Sequence, residues 1–151
     1  QSERLHNTAV RMLAAREHGT TELGQKLHCK YRDADADLVQ ETLLKLEDQG
    51  FLNDQRFIEM LVRSRIRRGY GPFYIQQELK SKDIDPRSVD SLDEWAEVDW
   101  FKEALQLIER KFGLETLSQD HKLWNKAMRF LQRRGFSGHV IHDVLPKMPK
   151  A

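Results

Sequence analysis

The side chains here with the most chemistry to offer are basic, and they come in runs. From Arg56 to Lys82 stand Arg56, Arg63, Arg65, Arg67, Arg68, Lys80 and Lys82 against only Glu59 and Glu78. From Lys122 to Arg134 stand Lys122, Lys126, Arg129, Arg133 and Arg134 with no acid. Arg63 and Arg67, four residues apart, share a helix face with Arg56 two turns back, away from the Ile58, Val62, Ile66 stripe. These guanidiniums are expected to face solvent. Tyr70, Phe73 and Tyr74 follow directly, an aromatic cluster beside a cationic one. Guanidinium groups bind carboxylate or phosphate in a planar, bidentate way, and aromatics add contact area at low entropy cost. The chemistry suggested is therefore recognition of an acidic protein surface or of nucleic-acid phosphate. The plainer reading is a solvated face beside core aromatics.

Bond-making chemistry has no comparable support. The sequence holds no Gly-x-x-x-x-Gly-Lys phosphate loop, no Cys-x-x-Cys and no His-Glu-x-x-His. His139 and His142 are spaced to share a helix face, with His121 a conceivable third ligand, but such pairs are commonly plain surface histidines. The acids Asp83, Asp85, Asp90, Asp93, Glu94, Glu97 and Asp99 are scattered, with no pairing logic for acid–base catalysis. No enzymatic activity, metal or cofactor is expected. Cys29, the one cysteine, cannot form an internal disulfide and reads as a small buried or half-buried apolar residue in a reducing compartment.

The 151 residues carry a net charge of only +1, so the segregation of charge says more about partners than its sum does. The charged fraction of 32% exceeds the usual ~25% and leaves apolar material for thin cores only. No apolar run approaches the ~20 residues of a membrane helix, and no signal-peptide pattern opens the chain. The first residue is Gln1, not Met, which leaves the native start open.

The elements that must position the basic runs read as helices throughout. Apolar residues recur with helical period, and nothing alternates with period two. About nine helices are expected. The first runs from Arg4 to Glu17 with Leu5, Ala9 and Leu13 on its stripe. Thr20 caps the second, with Leu23 and Leu27 inward. The third starts at Asp35 or Asp37 and ends at Gly50, with Phe51 tucked back as the apolar contact of a glycine cap. Asn53 or Asp54 caps the fourth, and Pro72 opens the fifth. Asp85-Pro86 opens a sixth carrying Val89, Leu92 and Ala96. A seventh spans Trp100 to Phe112, an eighth Lys122 to Arg134, and Ser137 caps a ninth. Glu22 and Glu78 read as first-turn carboxylates that complement the helix dipole.

A helix–glycine–helix corner recurs. With Thr20, Pro72 and Ser137 in register, Leu23, Ile75 and Val140 stand three residues later, and Leu27, Leu79 and Val144 seven later. Arg16, Arg68 and Arg133 stand four earlier. The expected organisation is three three-helix repeats, at 1–53, 54–98 and 99–151, in an elongated, curved array. Units this small bury little surface and must lean on neighbours.

One stretch is more specific: Gly50-Phe51-Leu52-Asn53-Asp54-Gln55-Arg56-Phe57, Arg65, Gly69-Tyr70-Gly71-Pro72, Ile75, Glu78-Leu79 and Lys82-Asp83-Ile84. With Thr20-Thr21-Glu22-Leu23-Gly24-Gln25-Lys26-Leu27 before it and Phe130-Leu131-Gln132-Arg133-Arg134-Gly135-Phe136 after it, the chain resembles the RecX family along essentially its whole length. Asp83 stands where that family usually has Gly, and Asp tolerates left-handed backbone less well. The resemblance implies a cytoplasmic, monomeric modulator of the recombinase RecA. It would lodge in the groove of the RecA–single-stranded DNA filament and hinder filament growth, ATP hydrolysis, strand exchange and co-protease activity. Candidate contacts to filament or DNA are then Arg16, Lys26, Arg56, Arg63, Arg67, Arg68, Tyr70, Tyr74, Lys126, Arg129, Arg133 and Arg134. Two other readings stay open. One is a direct DNA-binding helical protein, which the near-neutral net charge disfavours, with weak DNA affinity as an accessory property. The other is a helical scaffold without a nucleic-acid link.

Overall fold

The computed structural model describes residues 1–150. The expected all-helical fold is found, with no strand among the described residues. The elements are α1 (Ser2–Ala15), α2 (Thr20–Lys30), α3 (Ala36–Asp48), α4 (Asp54–Arg67), α5 (Pro72–Ser81), a 3-10 helix (Pro86–Ser91), α6 (Asp93–Ala96), α7 (Trp100–Lys111), α8 (Leu114–Leu117), α9 (His121–Arg133) and α10 (Gly138–Val144). That is eleven helical elements among the described residues rather than about nine.

The extra elements have local causes. The expected sixth α-helix splits because its serines compete for the backbone. Ser88 Oγ donates to the Asp85 carbonyl (2.6 Å) and Ser91 Oγ to the Ser88 carbonyl (2.9 Å), while the main chain closes tighter three-residue turns. Leu92 then turns extended to bury its side chain, and α6 starts after it. The short α8 follows Gly113, whose φ of +83° redirects the chain at the end of α7.

Four side-chain expectations are corrected. Thr20 is the first residue of α2, not its cap; its N–H and hydroxyl donate instead to the Asp54 carboxylate (2.9 and 3.2 Å), an acid from the start of α4. Leu52, fully buried, is the apolar contact behind Gly50, while Phe51 lies out against His6. Cys29 is exposed, because Leu23 and Leu27 define the inner face of α2 and position 29 is turned away from it. Glu78 stands beyond the first turn of α5 and serves Arg65 rather than the helix dipole.

The chain forms two compact units, residues 1–60 with 82–84 and residues 61–81 with 85–151. In the first, α1, α2 and α3 pack around Leu5, Ala9, Leu23, Leu27, Leu43, Leu46 and Leu52. Each buried leucine contributes roughly 1.5–3 kcal/mol. A polar cluster sits at the corner between α1 and α2. Arg16 makes a forked pair with Glu22 (3.2 and 2.8 Å), and Lys82 lies 3.6 Å from the same carboxylate. Burial pushes Glu22 up, but the Arg16 hydrogen bond and the charges of Arg16 and Lys82 prevail and hold it at about 2. His18 is buried beside them. Its Nδ1 meets the Arg16 carbonyl oxygen at 3.0 Å and its Nε2 meets Lys26 Nζ at 2.9 Å. A carbonyl only accepts and an ammonium only donates, which assigns the neutral ring protonated at Nδ1. Burial first, then the charges of Arg16 and Lys26, lower its pKa.

In the second unit, α7, α9 and α10 enclose Ala104, Leu107, Ile108, Leu117, Ala127, Phe130, Leu131, Phe136 and Ile141. The corner between α4 and α5 docks on the corner after α9 by direct backbone hydrogen bonds. Gly71 N–H donates to the Arg134 carbonyl (2.6 Å) and Phe73 N–H to the Gly135 carbonyl (3.0 Å). The unpaired amides that open α5 are thus satisfied by carbonyls of the turn that follows α9. A Cβ on Gly71 would fall 2.6 Å from the Gly135 carbonyl, and one on Gly135 would collide with the Tyr74 backbone. Gly135 also takes φ +90°.

Two predictions follow from the first unit. The folded state keeps His18 neutral, so unfolding takes up a proton below the ring's ordinary 6.5. That stabilisation is complete above 6.5 and is lost as pH falls; Glu22 adds a second loss between 4.5 and about 2. Urea unfolding at pH 7.5 and 5.5 should show the wild type losing more stability than His18→Gln; equal losses would remove His18 from this role. Asp83 adopts φ +59°, the left-handed conformation that its neighbours impose where glycine would be relaxed. Asp83→Gly should therefore stabilise by about 0.5–1 kcal/mol, the relieved strain exceeding the added unfolded-state freedom. A melting temperature that stays or drops would contradict this.

Candidate partner-binding surface

The candidate cations divide into those committed within the fold and those left to solvent. In the first unit, Arg16 holds Glu22. Lys26 bonds His18. Arg56 donates to Glu17 (2.8 Å) and to the carbonyls of Gly50 (2.7 Å) and Phe51 (3.3 Å), closing the end of α3. Exposure alone is thus a poor guide: Arg56 is solvent-facing as expected, yet three acceptors already engage its donors.

The second unit repeats the division. Arg63, 62% exposed in its side chain, pairs with Glu94 at 2.8 Å. Arg65 makes a two-pronged pair with Glu78 (2.6 and 2.7 Å), whose hydrogen bonds raise the guanidinium pKa further against the pull of burial. Arg134 donates to the Arg68 carbonyl (2.7 Å), so this side chain closes the end of α4, and its guanidinium lies 4.5 Å from the centre of the Tyr70 ring. Tyr70 in turn stacks on Tyr74 at 4.0 Å and 19°. Burial, with Tyr70 and Glu78 beside it, raises the Tyr74 pKa, so its phenol remains a neutral donor. The aromatic and cationic clusters do meet, as one stack of Arg134, Tyr70 and Tyr74, and Phe73 beside them is 58% exposed.

Five of the twelve candidates remain uncommitted. Arg67, Arg68, Lys126, Arg129 and Arg133 are exposed and make no hydrogen bond or ion pair through their side chains among the described residues. On α9, Lys122, Lys126, Arg129 and Arg133 follow at helical spacing along one face, opposite the buried Ala127 and Leu131. Asp120 caps this helix by accepting from Leu123 N–H, and α9 itself has no acid. The stripe extends ~16 Å at 1.5 Å per residue.

Sequence reasoning missed a groove of the second unit, lined by Arg63, Ile66 and Arg67 of α4, Val98, Leu105 and Glu109 of α7 and its approach, and Leu114, with a volume of about 930 Å³. The available signal was Leu105, beside the Ala104, Leu107, Ile108 stripe of α7, and Leu114, the apolar first residue of α8. The histidine reading of a metal site finds no support in the arrangement. His139 and His142 lie 3.4 and 3.7 Å from Asp143, His121 is engaged by Asn125, and no group of three or more ligating residues is assembled among the described residues.

Comparison with known proteins sets these features in a family. Residues 53–91 match the model of the RecX second three-helix domain and residues 97–145 that of the third. The chain is 41% identical over 140 residues to the regulatory protein RecX of Halorhodospira halophila, spanning 93% of this chain and 85% of that one. It is 37% identical over 145 residues to the regulatory protein RecX of Acinetobacter baylyi, spanning 96% and 88%. The crystal structure of RecX from Lactobacillus salivarius shares the fold at TM-score 0.73 and 24% identity, over 95% of this chain and 93% of that one. With relatives this similar over most of its length, and two successive domain models matched in order, the chain belongs to the RecX family of regulatory proteins.

Proposed function

We propose that this chain is a non-enzymatic modulator, mainly an inhibitor, of RecA. It lodges in the groove of the RecA–single-stranded DNA filament and hinders filament growth, ATP hydrolysis, strand exchange and co-protease activity. It does so as a cytoplasmic monomer built of three three-helix repeats, at 1–53, 54–98 and 99–151. Family membership supports the role of regulator. The observation that carries the filament reading is the α9 face, where Lys122, Lys126, Arg129 and Arg133 stand in line, exposed and without an ion pair among the described residues. In a chain that pairs most of its other candidate arginines internally, this row of cations is open to a partner's carboxylates or phosphates. Arg67 and Arg68 join them. Arg16, Lys26, Arg56, Arg63 and Arg134 contribute by holding helix ends and corners, and Tyr70 and Tyr74 by stacking.

The same α9 face favours a second reading, direct binding of DNA phosphate. Phosphate contacts give an affinity that falls steeply with salt, by nearly one log unit per log unit of salt for each contact. The near-neutral net charge limits how tight such binding can be without RecA.

Alanine at Lys126, Arg129 and Arg133 together should weaken binding to RecA–DNA filaments by ~10-fold or more, leaving helicity and melting unchanged. It should also lower the salt slope by about 2–3. Filament binding with the wild-type constant and slope would remove this face from the site. Naked single-stranded DNA bound as tightly as the filament, at matched salt, would favour the second reading.

A further inference from the structure

The groove between α4 and α7 has a chemistry that the basic face of α9 does not. Its apolar contacts, Ile66, Val98, Leu105 and Leu114, are all only half-buried. Its volume of about 930 Å³ falls within the ~300–1,000 Å³ of clefts that hold ligands. Charges flank the apolar residues: the α4 side is basic, and the α7 side is acidic on balance but carries one base. Arg67 comes from α4, and Glu103 and Glu109 come from α7 with Arg110 beside them. Although they line one groove, Arg67, Glu103, Glu109 and Arg110 make no ion pair among the described residues.

An occupant that satisfies these groups needs an apolar ridge with an acid on one side and a base on the other. A nucleic-acid strand fails this test, because Glu103 and Glu109 repel phosphate and the apolar residues offer it nothing. An extended peptide adding to a sheet edge fails as well, since there is no strand among the described residues to pair with. An amphipathic helix meets it, because residues three and four apart form the ridge and the adjoining positions carry the flanking charges. Opposite charges along the two sides of a helical seam also fix which way the incoming helix lies.

We infer that this groove receives an amphipathic helix from the protein component of the filament, with the acidic flank of that helix against Arg67 and its basic flank against Glu103 and Glu109. The inference rests on the filament reading proposed above and adds to it a groove for protein contact, separate from the basic face of α9.

The test uses the full chain with a photo-crosslinking amino acid at Gln106, an exposed residue of the groove, and a control at Leu44, exposed on α3. After irradiation with RecA filaments, the Gln106 probe should capture a RecA peptide whose apolar residues recur every three to four positions, and the Leu44 probe should not. Arg67→Glu and Glu109→Lys should each weaken filament binding several-fold with melting unchanged. Capture of DNA, of a second copy of this chain, or of nothing at Gln106 while the chain still sediments with filaments would overturn the groove assignment alone. A wild-type chain that fails to sediment with filaments would overturn the filament reading and this inference together.

Discussion

The second unit depends on one backbone contact, the meeting of Gly71 with Gly135. Two chain corners approach until amide and carbonyl bond directly, and each glycine is close enough to the opposite backbone that a side-chain carbon would have no room. The first amides of α5 have no partner within their helix, and the carbonyls of Arg134 and Gly135, in the turn after α9, supply one. The start of α5 is thereby closed by backbone carbonyls, with no capping side chain of its own.

This junction also sorts the basic residues by role. Arg134 leaves the end of α9, reaches the Arg68 carbonyl and covers Tyr70, so its charge is absorbed into the corner. Arg133, one residue earlier and on another face, is left outward with Arg129 and Lys126. Adjacent arginines thus have opposite duties, one holding two helices and one presented to solvent. The first unit makes the same division at its own corner, where Arg16 and Arg56 serve Glu22 and Glu17. Exposed ion pairs of this kind each contribute little, around 0–1 kcal/mol, so their effect is geometric more than energetic.

What the sequence makes legible follows from how local the cause is. Helix ends at Gly50, Gly69 and Gly135 were readable because a positive φ is a property of one residue, and all three take it. The buried stripes of α1 and α2, with Leu5 and Ala9 on one and Leu23 and Leu27 on the other, were readable from spacing alone. The 3-10 segment was not, because the serine-to-carbonyl bonds that break the helix cannot be inferred from an apolar pattern. Nor was the choice of Leu52 over Phe51 as the buried contact, which depends on where the chain points after the glycine. The division of the arginines was least legible of all. Arg56 finds Glu17 from 39 positions away and Arg134 finds the Arg68 carbonyl from 66. The groove too belongs to residues that only the fold assembles.

If the two corners are joined as described, the amides of Gly71 and Phe73 are closed to solvent until the second unit opens as a whole. Native-state hydrogen exchange of these two amides measures this directly. The account predicts protection matching that of the buried α9 amides of Ala127 and Leu131, with loss of protection only on global unfolding of the unit. Exchange of Gly71 and Phe73 at the rate of freely exposed helix-start amides, while α9 stays protected, would contradict it.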